Sequence, residues 1–337
     1  MTINRQWLLA ERPTGMVGPH NFKYTETPIP EPKSNEVLVK NLFLSFDPAQ
    51  RNWMVDRKAY LPPVAIGEPM RAGSVGEVIA SHHADFQVGD LVQTTGYWQD
   101  YVVAAPGEGP MGLVKLPSGV SPEMMLSVLG ITGLTAYFGL LEIGQPKAGE
   151  TVLISGAAGS TGSFVGQIAK IKGCRVVGIA GGPDKCRWLK ETAGFDAVID
   201  YKNEDVNAQI AHHCPDKWDV FFDNVGGPIL EAALDHVNLR SRVVLCGSIS
   251  GYNATGPIPG PSNLSNLTIN RARMEGFVIL DYMPRAMEAI EDLMAWNSSG
   301  QLIYQVDLQE GFENIPVTLQ RLYAGKNLGK QLLQIGS

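Results

Sequence analysis

Residues 155–162 read Ser155-Gly156-Ala157-Ala158-Gly159-Ser160-Thr161-Gly162. They follow the apolar run Thr151-Val152-Leu153-Ile154 and precede a stretch of helical spacing over 164–172. Glycines in a GxxGxxG pattern between a strand and a helix fit the phosphates of a dinucleotide. Gly156 permits a tight turn. Gly159, next to Ala158, lets backbone approach a pyrophosphate. Gly162 lets helix and strand pack closely, and the helix start offers N–H groups to the phosphates. In isolation the same run could be a ligand-free turn. Its place at the first of a series of strand–helix units points to a nicotinamide dinucleotide, and so to hydride transfer.

The second strand of that series, 175–180, ends in Ala180-Gly181-Gly182. A site for the non-phosphorylated coenzyme carries an Asp or Glu there, bonded to the ribose diol. Gly181 removes both the acid and the bulk. Lys185 follows at the start of the next helix, in Pro183-Asp184-Lys185. A small residue, a lysine and a helix N-terminus together suit a 2′-phosphate, so the expected cofactor is NADP(H). A solvated surface lysine is the alternative for Lys185, and Asp184 beside it is an opposing charge.

No metal is expected. Residues 1–173 contain no cysteine, and the four present, Cys174, Cys186, Cys214 and Cys246, form no CxxC. Where a Gly-His-Glu motif would supply zinc ligands the chain reads Arg71-Ala72-Gly73-Ser74-Val75-Gly76-Glu77. Without a soft ligand set no Zn²⁺ polarises a carbonyl. The reading favours a reaction whose electron sink is a conjugated carbonyl.

The elements that must hold these residues differ along the chain. Over 1–124, short alternating runs at 37–44, 76–80, 90–94 and 98–103 lie between Pro- and Gly-rich turns and read as a mostly antiparallel β domain. Ser121-Pro122-Glu123 opens a helical region to 141, with Gly130 and Gly133 expected to break it. Over 125–303, apolar strands at 151–155, 175–180, 197–200, 220–223, 243–246 and 276–279 alternate with helical segments. That is a doubly wound parallel sheet, an α/β Rossmann fold covered on both faces. From about 304, β-like turns, a helix near 315–324 and the closing run Gln331-Leu332-Leu333-Gln334-Ile335 are assigned back to the first domain, for an order catalytic, cofactor, catalytic.

The 337 residues are 44% hydrophobic and 18% charged, with net charge −7 and no long basic run. A nucleic-acid or anionic-membrane partner is not expected. No apolar run approaches the ~18 residues of a membrane span, and residues 1–5 begin no signal peptide, so a cytoplasmic home is expected.

At this point the chain resembles a family, the zinc-independent medium-chain dehydrogenase/reductases. Within it the likeness is to the prostaglandin reductase, leukotriene B4 dehydrogenase and alkenal double-bond reductase group, which includes bacterial NADPH-dependent curcumin reductase. Nearly the whole chain takes part. The motifs are Leu129-Gly130-Ile131-Thr132-Gly133-Leu134-Thr135-Ala136-Tyr137, the Ala157-Ala158-Gly159 loop, Asp223-Asn224-Val225-Gly226-Gly227, 246–253 from Cys246 to Asn253, Glu275-Gly276-Phe277, and 325–330 from Gly325 to Lys330. The resemblance implies a GroES-like catalytic domain and NADPH-dependent reduction of enals or enones. It implies that Lys185 and Tyr201 hold the 2′-phosphate and that Asn224 lies by the ribose and phosphates. Cys246, Gly247, Ser248, Phe277 and Val278 would position the nicotinamide end, Asn327 would reach the cofactor, and Tyr252 would meet the substrate. Relatives often have Tyr-Met where this chain has Ala49-Gln50, before Arg51. Taken alone, Tyr252 also fits a surface tyrosine, Asn224 a turn former, Asn327 an αL cap and Cys246 a small buried apolar residue.

Hydride added to the β-carbon leaves an enolate oxygen, for which Tyr252 or a ribose hydroxyl is the donor; the α-carbon proton comes from Tyr252 or water. A quinone or carbonyl reductase, or a non-catalytic dinucleotide sensor, are the competing readings. A homodimer is expected, since open Rossmann sheets pair edge to edge.

Overall fold

The computed structural model describes residues 3–107 and 112–336. The chain divides into two compact units. The first is Met1–Leu126 with Val306–Ser337, and the second is Ser127–Gln305. Strands of the first stretch are β1 (Ile3–Leu9), β2 (Phe22–Pro28), β3 (Val37–Ser45), β4 (Gly73–Ser81), β5 (Leu91–Thr95), β6 (Tyr101–Ala104) and β7 (Val114–Lys115). The second unit holds β8 (Thr151–Ser155), β9 (Arg175–Ala180), β10 (Ala197–Asp200), β11 (Trp218–Asp223), β12 (Val237–Leu245) and β13 (Arg273–Gly276). The return segment adds β14 (Val306–Glu310) and β15 (Lys330–Gln334).

In the first unit a seven-stranded sheet runs β14-β15-β3-β4-β5-β7, with β6 also on β3, and β1 pairs with β2. Every pair is antiparallel except β14–β15. The return segment is therefore part of the sheet: Leu333 of β15 faces Leu44 of β3. Its helix Ile315–Tyr323 buries Ile315, Leu319 and Leu322, the i, i+4, i+7 face of an amphipathic helix. Leu319 and Leu333 join Leu9, Leu44, Phe46, Met70 and Trp98 in one core.

The second unit is a six-stranded parallel sheet in the order β10-β9-β8-β11-β12-β13. Its central strands are buried nearly end to end, as strands covered on both faces must be. Gly133 does not break the helical region as its residue type suggested. It lies inside the helix Ile131–Phe138, where a Cβ would sit 1.8 Å from the Val128 carbonyl oxygen. Glycine is there for a close backbone approach, and the break falls at Gly130, which caps the helix start. The last strand also ends earlier than expected, at Gly276, so Phe277 and Val278 lie beyond it. Among the described residues no helix is long and apolar enough to cross a membrane.

Candidate functional site

In a parallel sheet, register decides which strand ends meet. Here Ser155 pairs with Ile179, Ala180 with Asp200, Ile154 with Phe222, Asp223 with Leu245, and Leu245 with Gly276. All six strands therefore end on one line. The residues that follow them are Gly156, Gly181, Tyr201, Asn224, Cys246 and Phe277. The carboxyl rim of an open α/β sheet is where ligands bind, and this rim carries every sequence-predicted site residue except Asn327, which belongs to the other unit.

The turn after β8 is built as the glycine spacing requires. Gly156 has φ +59°, a left-handed conformation that disfavours a side chain. A Cβ on Gly162 would lie 2.5 Å from the Gly156 carbonyl oxygen and 2.8 Å from Ala157 Cα. Ala157 and Ala158 are buried, and the Gly159 N–H bonds the Gly156 carbonyl at 3.0 Å. The helix Ser160–Ile171 then starts with Gly159 in extended conformation and no side-chain cap. That start can receive a phosphate.

Beyond β9, Gly182 caps the helix Pro183–Glu191 without a side chain, with proline in its first turn. Lys185 is half-buried on that first turn. Asp184 pairs with Arg187 at 3.1 Å, so the nearest acid in sequence is directed to another cation. The Asp200 carboxylate accepts Gly182 N–H at 2.8 Å, Lys202 N–H at 3.1 Å and Asn203 Nδ2 at 2.8 Å. Burial pushes its pKa up, but these donors and the Lys202 charge hold it below the ordinary value. Tyr201 follows directly and is 44% exposed.

At the centre of the rim stands a residue given no role by the sequence reading. Asp223 ends β11 with no exposed surface. Its Oδ1 accepts the Ser155 hydroxyl at 2.7 Å and the Val225 and Gly226 N–H groups at 3.0 Å each. Its backbone carbonyl accepts the N–H groups of Cys246 and Gly247 at 2.9 and 3.1 Å. Burial raises the carboxyl's pKa, against the pull of its neutral donors. Ser155 Oγ in turn accepts the Asn224 N–H at 2.8 Å, and Asn224 Nδ2 donates to the Ser155 carbonyl at 2.7 Å. Asp223 thus ties together the turns after β8, β11 and β12. The signal for it was an acid closing the apolar run Val220-Phe221-Phe222.

Asn224 is both a turn former and a rim residue: its amide nitrogen clamps β8, and its Oδ1 lies outside that clamp. Burial first, and the Asp223 charge second, push the Cys246 thiol up to about 12, so it is neutral at physiological pH and no nucleophile. The chain then makes a 3₁₀ turn, Ile249–Gly251, that brings Tyr252 back over the rim. The Tyr252 hydroxyl oxygen accepts the Ser248 N–H at 3.3 Å and would stand 3.2 Å from a Cβ on Gly247. Phe277 packs edge-on to Phe222, with centroids 6.4 Å apart, and Val278 caps the 3₁₀ segment Ile279–Arg285.

In the first unit Asn327 is buried and donates to the Gly329 carbonyl at 3.0 Å. It is not the αL residue of this turn; Gly325 and Gly329, at φ +62° and +72°, take that conformation. The 47–51 turn is fixed from within. Lys330 Nζ pairs with Asp47 and donates to the Phe46 carbonyl. Arg51 is buried, donating Nη2 to the Pro13 and Gly15 carbonyls at 2.9 and 3.2 Å. Among the described residues no group of three or more His, Cys, Asp or Glu is placed to hold a metal.

Two family descriptions match the sequence: an N-terminal domain of oxidoreductase over residues 5–112, and a zinc-binding dehydrogenase over residues 160–296. The chain is 42% identical to the NADPH-dependent curcumin reductase of Escherichia coli, over 98% of this chain and 97% of that one. It is 39% identical to the NADP(+)-dependent 2-alkenal reductase of Nicotiana tabacum, over 90% and 88%. The crystal structure of CurA from Vibrio vulnificus in complex with NADPH superimposes with a TM-score of 0.93 at 44% identity, over 99% of both chains. With a parallel sheet whose glycine turn and strand ends share one rim, a mostly antiparallel sheet in the other unit, and relatives of this closeness along its whole length, the chain belongs to the zinc-independent medium-chain dehydrogenase/reductases, in the group of the curcumin, alkenal and prostaglandin reductases.

Proposed function

We propose that this protein is an NADPH-dependent reductase of the carbon–carbon double bond of α,β-unsaturated aldehydes and ketones. The observation that carries the reading is the alignment of a phosphate-accepting turn, an acid-free second strand end and a tyrosine hydroxyl on one sheet rim. The relatives named for curcumin and 2-alkenal reduction support the substrate class.

Gly156, Ala158, Gly159 and Gly162 fit the pyrophosphate, since any Cβ at 162 would fill the turn. Lys185 and Tyr201 would hold the 2′-phosphate, with the start of the helix Pro183–Glu191 adding its dipole. Asn224, the 246–248 backbone and the Phe277–Val278 turn would hold the ribose and nicotinamide, with Asn327 assigned to the cofactor by family likeness. NADPH supplies, when bound, the hydride that the β-carbon takes up. The π electrons of the double bond move to the carbonyl oxygen as an enolate. Tyr252 is suited to bond that oxygen: its hydroxyl is held over the rim, where the Ser248 N–H meets it at 3.3 Å, and a phenol O–H is a donor to a developing enolate. The enolate collapses as the α-carbon takes a proton from Tyr252 or water. We assign the catalytic role to 1–124 and 304–337 and the cofactor role to 125–303; the two compact units support that division.

We further place the protein in the cytoplasm as a homodimer, without nucleic-acid partners. The net charge of −7 and the open β13 edge of the second sheet support this. Light scattering should give twice the 36.5 kDa chain mass. Steady-state assays with an enone, a quinone and a secondary alcohol, each with NADPH or NADH (the oxidised forms for the alcohol), test the reaction. The enone with NADPH should turn over fastest, and Tyr252→Phe should lower kcat about tenfold or more. Faster turnover of the quinone or the alcohol would overturn the assignment.

A further inference from the structure

A coenzyme with a free ribose diol is met by a carboxylate at the end of the second strand, and here that position is Gly181. The reason for glycine is not its backbone. Gly181 is not among the residues with positive φ, so a side chain could be carried without backbone strain. What excludes one is Tyr201. A Cβ on Gly181 would lie 2.6 Å from Tyr201 Cε1, 2.8 Å from its Cζ and 2.9 Å from its hydroxyl oxygen. These three atoms are the nearest, and all belong to the far end of one ring.

Backbone adjustment cannot relieve that contact, because the two positions are bound on both sides. The Tyr201 N–H bonds the Ala180 carbonyl at 3.0 Å, just before Gly181. The Gly182 N–H bonds Asp200 Oδ1 at 2.8 Å, just after it. Asp200 also accepts Lys202 N–H and Asn203 Nδ2, which fixes the turn that carries Tyr201. The strand ends therefore stay put, and any side chain at 181 must swing the exposed Tyr201 ring away.

We infer that Gly181 and Tyr201 are a single specificity device: the tyrosine ring occupies the space where a diol-binding carboxylate would stand, and Gly181 is the positioning residue that keeps the ring beside the 2′-phosphate. The inference rests on the NADPH reading above and assigns its selectivity to a contact between two strand ends. Removing one partner should then cost what removing both costs.

The test is a binding cycle by titration calorimetry on the full chain, with NADPH and NADH as probes, for wild type, Gly181→Ala, Tyr201→Ala and the double variant. Each single variant should weaken NADPH about tenfold, the scale of one hydrogen bond to a charged group, and leave NADH within about twofold. The double variant should weaken NADPH no further than Tyr201→Ala alone. If Gly181→Ala does not fold but the double variant does, with the affinity of Tyr201→Ala, the coupling is seen as rescue and the inference holds. It is overturned if the two losses multiply to about a hundredfold, or if Gly181→Ala leaves the NADPH-to-NADH ratio unchanged. A wild type that binds both coenzymes equally overturns the NADPH reading itself and this inference with it.

Discussion

Two carboxylate clusters, one in each unit, are held in opposite ways. In the first unit Asp47 meets Lys330, a cation with only 2% of its surface exposed, and Ser45 Oγ donates to the same carboxylate at 2.7 Å. In the second unit Asp223 is bonded by a hydroxyl and two backbone N–H groups, all neutral. The ion pair closes the first sheet: it links the end of β3 to β15, across 283 residues of chain. The neutral cradle shapes a rim: its donors are the turns that the sequence places at successive strand ends. A buried charge with a counter-ion serves assembly, and one satisfied by main-chain donors fixes the loops those donors belong to.

The largest effect that would break this contrast is on the ion pair. Asp47→Asn strands a buried ammonium and should cost about 3 kcal/mol in urea unfolding, below the top of the range for buried pairs because Asp47 is partly exposed. An unchanged midpoint would make the pair ornamental. Next in size is Gly162→Ala. Its Cβ meets backbone rather than a flexible side-chain tip, so the turn must distort, at about 2 kcal/mol and with weakened NADPH binding. Tight binding with normal stability would remove the turn from the cofactor site.

A smaller effect is on the pH dependence that Asp223 contributes. Burial raises the Asp223 pKa in the folded protein above its ordinary 3.8. Below that value the residue is protonated in both states. Above it the unfolded chain ionises first, so wild type loses stability as pH rises from 3.8 through the folded pKa. Asp223→Asn lacks this loss. Variant and wild-type stabilities should therefore drift in the variant's favour across that window, by at most about 1.4 kcal/mol per pH unit. Parallel curves would mean that Asp223 does not titrate abnormally.

Smallest is a chemical readout confined to the second unit, which holds all four cysteines. Burial pushes Cys174 and Cys186 to about 11 and Cys214 and Cys246 to about 12. At pH 8 the folded chain should label with a thiol reagent about a hundredfold more slowly than free cysteine, or slower. Cys186 or Cys246 reacting at the free rate would show a reactive site beside the rim.

The same contrast explains what could be read from sequence. The dinucleotide turn was legible because its logic is local: Gly156 answers to its own φ of +59°, and Gly162 to atoms within six residues. The rim itself was legible because strand ends in a parallel sheet align by construction, but the roles of Asn224, Cys246 and Tyr252 on it came from the family resemblance, since alone they also fit a turn former, a small apolar residue and a surface tyrosine. Phe277 and Val278 were assigned to a strand because an apolar run does not mark where pairing stops. Gly133 was misread for a related reason: glycine type does not say whether it serves flexibility or close approach. The Gly181–Tyr201 contact and the Asp47–Lys330 pair were invisible, because each joins residues that only tertiary structure brings together.

The central claim is that hydride goes to the β-carbon of a conjugated carbonyl. The direct test is turnover of an enone with NADPH carrying deuterium at the transferred position, followed by product NMR. The account predicts a saturated ketone with one deuterium on the β-carbon and the carbonyl intact. Deuterium on the carbonyl carbon, with the double bond retained, would contradict it.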